Sequence, residues 1–215
     1  MHLKRKTIGK FWPVPKTGTK YLAVPSHSKE NSIPLIVVMR DLLGFVKIKK
    51  ELKKLIHEKK IMVNGKIVKE INYPLGLFDC ISIPSISKHY RIILNGKRFY
   101  VQEAKESELS KRIYKIIGKK ILPKNKVQIN LSNGKNLLSN EKVKTGEFIV
   151  LDNKNKILKV IEIKKDSEVI AFKGKHIGIG GKIKEIIQEG ENKIALIKTK
   201  EGEIKANLEN LFLTE

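Results

Sequence analysis

Cysteine, arginine and acidic residues are all scarce in this 215-residue chain, and each scarcity narrows what it can be. Cys80 is the single cysteine, so no internal disulfide can form and a reducing cytosol is expected. It has no partner at zinc-ligand spacing, and His2, His27, His57, His89 and His176 are scattered along the chain. No Ser/His/Asp or Cys/His arrangement stands out, so catalysis and metal binding find little support. The N-terminal MHLKRKTIGKFWPVP lacks the apolar core of a signal peptide. The longest apolar run, Leu35 to Met39, is far too short to span a bilayer. A soluble intracellular chain without a membrane partner is expected.

What is abundant is lysine. Lys and Arg total 45 against 22 Asp and Glu, a formal charge of +23. Such an excess repels itself in a compact fold unless a polyanion neutralises it, and nucleic acid is the first candidate. Up to Tyr100 there are 21 basic and 6 acidic residues; beyond it there are 24 and 16. The main electrostatic footprint therefore belongs to the N-terminal half. Arginine occurs only at positions 5, 40, 91, 98 and 112. Lysine meets phosphate as a point charge, which suits backbone binding better than base reading.

At about 100–200 residues per domain the length allows one large domain or several small ones. The pattern favours four segments in an α+β, mostly β chain. Residues 1–32 form a basic arm, punctuated by Pro13, Pro15, Gly18 and Pro25. Its Phe11, Trp12 and Tyr21 lie among Lys4, Arg5, Lys6, Lys10, Lys16 and Lys20. Such aromatics either stack on bases or wedge into a core, and stacking on RNA is the favoured reading over a floppy tail. Residues 33–89 read as two helices and a small sheet. Ser32 is a possible cap and Pro34 a first-turn residue for a helix through Leu42. Ile48, Leu52, Leu55 and Ile56 then recur at helical spacing, opposite a lysine-rich side. Asn64-Gly65 between Ile61–Val63 and Lys66–Val68 predicts a type I′ hairpin, with Gly65 a structural glycine.

Residues 90–167 are expected to be a β-rich domain. Its strands are predicted at 90–94, 98–101, 116–122, 127–131, 148–151 and 157–163, with a short helix over 104–113. The triplet Asn-Gly-Lys occurs at Asn64, Asn95 and Asn133 and reads as one turn chemistry used three times. Residues 168–215 predict a small barrel around GKHIGIGGKIKEI, Gly174 to Ile186, where Gly178 and Gly181 permit a tight turn and close backbone approach. Nucleotide-loop readings of that stretch fail on spacing. A P-loop would need glycine at His176 and Ser or Thr at Ile183, and a dinucleotide fingerprint would need its third glycine at Ile183.

Leu35 to Ile83 resembles the S-four RNA-binding module, and Gly174 to Ile186 resembles a KOW motif in an SH3-like barrel. Together with HLKRKTIGKFWPVP, PLIVVMRDLL, INYPLGLFDCISI and NLENLFL, in that order, the chain resembles small-subunit ribosomal protein four of the archaeal and eukaryotic "e" type. The resemblance spans essentially the whole chain. It implies a cytoplasmic structural protein bound to small-subunit rRNA and to neighbouring small-subunit ribosomal proteins, without catalysis or cofactor. Val68 and Lys69 stand where that family usually has an arginine, so no contact is carried over there. Phe78 and Cys80 replace the usual Met and Val.

The helix and hairpin surface is the leading candidate, through Arg40, Lys47, Lys50, Lys53, Lys54, Lys59, Lys60, Asn64 and Lys66, against the alternative of a merely solvated lysine face. Lys97 and Arg98, and then Lys173, Lys175, His176 and Lys182, extend it. The main rival is a non-ribosomal RNA-binding or RNA-modifying protein with an S-four-like module. No pseudouridine-synthase or synthetase signature supports it.

Overall fold

The computed structural model describes residues 2–8, 11–29, 32–105, 112–123, 126–139, 143–152, 155–189, 192–199 and 202–214. Lys10 and most of the helix expected over 104–113 lie outside the described residues. The chain divides into two compact units, Met1–Arg112 and Ile113–Glu215.

In the first unit the arm is folded onto itself. Strands β1 (Leu3–Lys4) and β2 (Tyr21–Leu22) pair antiparallel, with Leu3 opposite Leu22. Between them Arg5 closes the loop. Its Nε donates to the Thr19 carbonyl at 2.7 Å, and its guanidinium nitrogens donate to the Pro15 carbonyl at 2.6 Å and the Thr19 hydroxyl at 3.0 Å. Trp12 is only 4% exposed, so the wedge reading holds and the base-stacking expectation for Trp12 is corrected. Phe11 meets Phe99 edge-on at 5.3 Å, and its carbonyl accepts the Phe99 amide.

Next, β3 (Ile33–Pro34) pairs with β6 (Pro74–Leu75). Helix α1 (Leu35–Val37) continues directly into a π-wound turn (Val38–Leu42), closed by the Leu43 amide on the Val38 carbonyl. Pro34 takes the N-cap position. Ser32 caps nothing: it is buried and its hydroxyl donates to the Ser28 carbonyl at 2.6 Å. Helix α2 (Lys49–His57) buries Leu52 and Ile56, while Ile48, expected on the apolar face, sits exposed at the N-cap.

The unit's main sheet runs β5-β4-β7-β8-β9, from β4 (Met62–Val63), β5 (Lys66–Ile67), β7 (Cys80–Ile83), β8 (Lys88–Asn95) and β9 (Arg98–Glu103). At the β4–β5 turn Asn64 (φ 52°) and Gly65 (φ 71°) are both left-handed, as a type I′ turn requires. The three Asn-Gly-Lys triplets are not one turn reused. Asn95 is not left-handed, and Asn133 accepts the Lys135 amide through its side chain at 3.0 Å.

The second unit holds two antiparallel five-stranded sheets. The first, ordered β12-β11-β10-β13-β14, uses β10 (Arg112–Leu122), β11 (Lys126–Leu131), β12 (Asn136–Ser139), β13 (Phe148–Leu151) and β14 (Ile157–Ile161). Arg112 and Ile113 thus begin a strand rather than end a helix. Tyr114, Ile116, Ile129, Leu131, Ile149 and Leu151 pack together on one face. The second sheet, β18-β17-β16-β15-β19, uses β15 (Glu168–Ala171), β16 (Gly180–Glu189), β17 (Asn192–Thr199), β18 (Gly202–Asn207) and β19 (Leu211–Leu213). A Cβ at Gly181 would overlap the Lys198 carbonyl oxygen and sit 2.8 Å from Ile197 Cγ2, so only glycine lets β16 and β17 approach there. Gly178 (φ 83°) turns the preceding loop, its amide donating to the Ala171 carbonyl at 2.7 Å.

The two sheets meet through strand alternation. On β10 and β13 the residues beside the packed face, Lys115 and Phe148, turn the other way. Phe148 meets Phe212 edge-on at 5.2 Å. Lys115 is 8% exposed, and its ammonium donates to the carbonyls of Leu208, Glu209 and Leu211 at 2.9, 2.8 and 3.1 Å. Burial pushes its pKa down to about 8, with Glu209 opposing the shift. The folded state therefore holds this proton less tightly than the unfolded chain, so stability rises with pH between about 8 and 10.5. Relative to Lys115→Met, the unfolding free energy of the wild type is expected to gain roughly 2–3 kcal/mol from about pH 7 to pH 10. Urea denaturation measures this; a flat difference would show that the three carbonyl bonds cancel the burial effect.

Candidate nucleic-acid interface

The site grows from α2. At its start the Glu51 carboxylate accepts the Lys47 amide at 2.7 Å and the Ile48 amide at 3.3 Å. Ile48 has no polar atom to return the bond, so this is one half of a capping box. At its end the Lys60 amide bonds the Leu55 carbonyl, and Lys59 adopts φ 56°, a left-handed terminator formed by a lysine instead of glycine. His57, Lys59 and Lys60 so collect at the negative end of the helix dipole.

Most acidic residues of this region are engaged elsewhere, Glu70 being the exception. Asp41 holds Arg40 in a two-bond pair at 2.8 and 2.9 Å, which raises the Arg40 pKa. Glu58 bonds Lys60 at 2.6 Å, which lowers its own pKa, and lies 3.9 Å from Lys54. Exposed pairs of this kind are screened by solvent and add little to stability. Asp79 is buried and accepts from Asn64 Nδ2 at 2.7 Å and from the Gly76 amide at 2.8 Å. Lys47, Lys50, Lys53, Lys59 and Lys66 are exposed and have no acidic partner among the described residues. α2, its flanks and the hairpin thus carry positive charge that the fold leaves unneutralised.

Asn64 leaves the candidate surface. It is 3% exposed, and besides its bond to Asp79 its carbonyl oxygen accepts the Cys80 amide at 3.0 Å. A turn asparagine read as a surface contact is in fact the pin joining hairpin to β7. Arg5 is likewise engaged in closing its loop. Of the other predicted residues, Lys4, Lys6, Lys16 and Lys20 lie exposed on the arm, with Lys20 over the Tyr21 ring at 5.4 Å. Lys97 and Arg98 are exposed at the β8–β9 turn. In the second unit Lys173 and Lys175 are exposed and His176 is half-buried on the glycine-rich loop, while Lys182 pairs with Glu168 at 3.5 Å.

Lys49, on the lysine-rich side of α2, and Lys69, set aside after the hairpin, are not among the sequence candidates. With Lys53 they line a cleft of about 350 Å3 between α2 and residues 69–72. The four-residue step from Lys49 to Lys53 was a usable signal for the first; nothing in the spacing brings Lys69 to them.

Comparison with known proteins places this architecture. A family model described as Ribosomal family S4e matches residues 86–158. The small ribosomal subunit protein eS4 of Methanocella arvoryzae is 34% identical over 99% of this chain and 93% of its own. This chain belongs to the eS4 family. The eS4 protein of Nanoarchaeum equitans is 35% identical over 87% of this chain and 82% of its own. The crystal structure of the 30S ribosomal protein S4e from Thermoplasma acidophilum superposes with a TM-score of 0.70, covering 86% of this chain and 95% of that one. At 24% identity it speaks to the fold, which is mostly β with two short helices and several sheets. Membership in eS4 makes the chain a structural ribosomal protein rather than an enzyme. It also makes Asn64 a test of what shapes this eS4 surface. Asn64→Ala is expected to lower stability by about 2–4 kcal/mol in urea, since it strips two buried hydrogen bonds at a left-handed residue. RNA binding by the folded fraction should keep its salt dependence; weaker binding at unchanged stability would make Asn64 an RNA-binding residue after all.

Proposed function

We propose that the chain is a structural constituent of the small ribosomal subunit that binds small-subunit rRNA by electrostatics and shape. Lys47, Lys50, Lys53, Lys54, Lys59 and Lys66 meet phosphates, and Lys97 and Arg98 add charge at the β8–β9 turn, by the opposite edge of the same sheet. The arm adds Lys4, Lys6, Lys16 and Lys20. In this reading α1, α2 and the hairpin act as an S-four-like module, and the last sheet acts as a KOW barrel that presents Lys173, Lys175, His176 and Lys182 to rRNA or a neighbouring small-subunit protein. The partners are rRNA and other small-subunit proteins in the cytoplasmic ribosome, with no cofactor, membrane or small-molecule substrate.

One observation supports the reading: Lys47, Lys50, Lys53, Lys59 and Lys66 lack acidic partners among the described residues, because Asp41, Glu51, Glu58 and Asp79 are engaged in caps, pairs and buried bonds. A solvated lysine face on an ordinary helix is laced with i,i+4 acids; here the one such ion pair among the described residues of this helix, Lys54 with Glu58, is long at 3.9 Å. Apolar burial fixes the surface before any ligand arrives, so RNA meets a preset array of point charges. Point charges release counterions without reading sequence.

The double variant Lys50→Ala, Lys54→Ala should weaken binding to a double-stranded RNA about equally for unrelated sequences. The slope of log K against log salt should fall by roughly one unit for each phosphate that the variant no longer neutralises. A slope equal to the wild type's would show that this face is only solvated.

A further inference from the structure

Beside the open lysine surface, the first unit contains a preformed recess that electrostatic backbone binding does not need. Its volume is about 350 Å3, and Ser26, Ile56, His57, Ile71 and Asn72 line it together with the lysines. Two independent features distinguish it from a gap between side chains.

The first is its built wall. The Asn72 carbonyl accepts the Ser26 amide at 3.1 Å, the Ile71 carbonyl accepts the Ile36 amide at 3.2 Å, and the Tyr73 carbonyl accepts the Leu35 amide at 2.9 Å. The segment opposite α2 is therefore tied at three consecutive residues, to the arm and to the start of α1. The His27 ring braces Tyr73 edge-on at 5.9 Å. A recess held open this way costs little further ordering when it is filled.

The second is its mixed chemistry. Ile56 and Ile71 contribute apolar lining, and three lysines, at 49, 53 and 69, line it too without an acidic partner among the described residues. Glu70 lines the recess too, yet pairs with none of them, leaving a carboxylate acceptor at the rim. The Asn72 side-chain amide makes no hydrogen bond among the described residues and offers both a donor and an acceptor. A bare phosphate would leave the apolar lining unused, and an apolar side chain would leave the lysines unneutralised. A ligand with a flat apolar face, a hydrogen-bonding edge and an attached anion satisfies all three, and the volume suits one nucleotide.

We propose that this cleft takes a single unpaired nucleotide of the bound RNA. Its base lies against Ile56 and Ile71, its edge meets Glu70 and Asn72, and its phosphate meets Lys49, Lys53 and Lys69. The inference rests on the RNA-binding reading above and adds a local preference to it: the lysine surface grips paired RNA, and the cleft favours RNA with an extruded residue beside the paired stretch.

The test uses the full chain and two RNA hairpins identical but for one bulged adenosine. The bulged hairpin is expected to bind about tenfold more tightly. Ser26→Trp, which fills the recess from its exposed rim and removes no cation, should abolish that preference while binding of the paired hairpin and its salt slope stay. A matched thermal melt guards against misfolding, and 2-aminopurine at the bulge, whose fluorescence changes on entering the cleft of the wild type alone, gives a second readout. Equal wild-type affinity for both hairpins, with the salt slope intact, overturns the cleft and leaves the lysine surface standing. Preference that survives Ser26→Trp places bulge recognition elsewhere and overturns it as well. Failure to bind either hairpin overturns the RNA-binding reading and the cleft with it.

Discussion

Like-charge repulsion is the constraint around which the first unit is organised. α2 alone carries the lysine pairs 49/53 and 50/54 one turn apart, and each such pair destabilises a helix by about 0.2–0.5 kcal/mol. Burying Leu52 and Ile56 contributes about 1.5–3 kcal/mol each, so the helix tolerates the repulsion with room to spare. What the fold does not do is neutralise it. Most of its nearby carboxylates are drawn into the helix cap, the Arg40 pair, the Lys60 pair and the buried bond to Asn64. The positive surface is thus a product of where the acids go as much as of where the lysines are.

That allocation makes single polar contacts unusually consequential. Asn64 and Asp79 lock the hairpin to β7, which fixes the turn that carries Lys66. Arg5 closes the arm on itself, so that Lys4, Lys16 and Lys20 stand out from a defined loop. In the second unit Lys115 performs the inverse task, turning a cation inward to hold the carbonyls ahead of the last strand. In a chain with so much lysine, side chains of one type so divide between exposed and structural positions according to what burial surrounds them.

Much of this was legible in the amino-acid order. The helices near Leu35 and Lys49, the Asn64-Gly65 hairpin, most strands and the family followed from apolar spacing, turn residues and motif order. The misreadings share one physical origin: a polar or aromatic side chain looks alike in sequence whether it faces solvent or another segment. Trp12 among lysines reads as a stacking platform until Phe11 and Phe99 bring the arm onto the sheet. Asn64 reads as a turn tip until Asp79, fifteen positions away, takes its amide. Lys115 gives no local sign of burial, because its acceptors lie more than ninety residues further along. The cleft was invisible for the same reason, since Lys69 meets Lys49 and Lys53 only through the path of the chain between them.

The most direct test of the central claim is lysine acylation footprinting on the free chain and on small ribosomal subunits containing it, read by mass spectrometry. Lys47, Lys50, Lys53, Lys59 and Lys66 should react readily in the free chain and be protected in the subunit, whereas Lys115 should react poorly in both. Equal reactivity of those five lysines in both states would contradict the account.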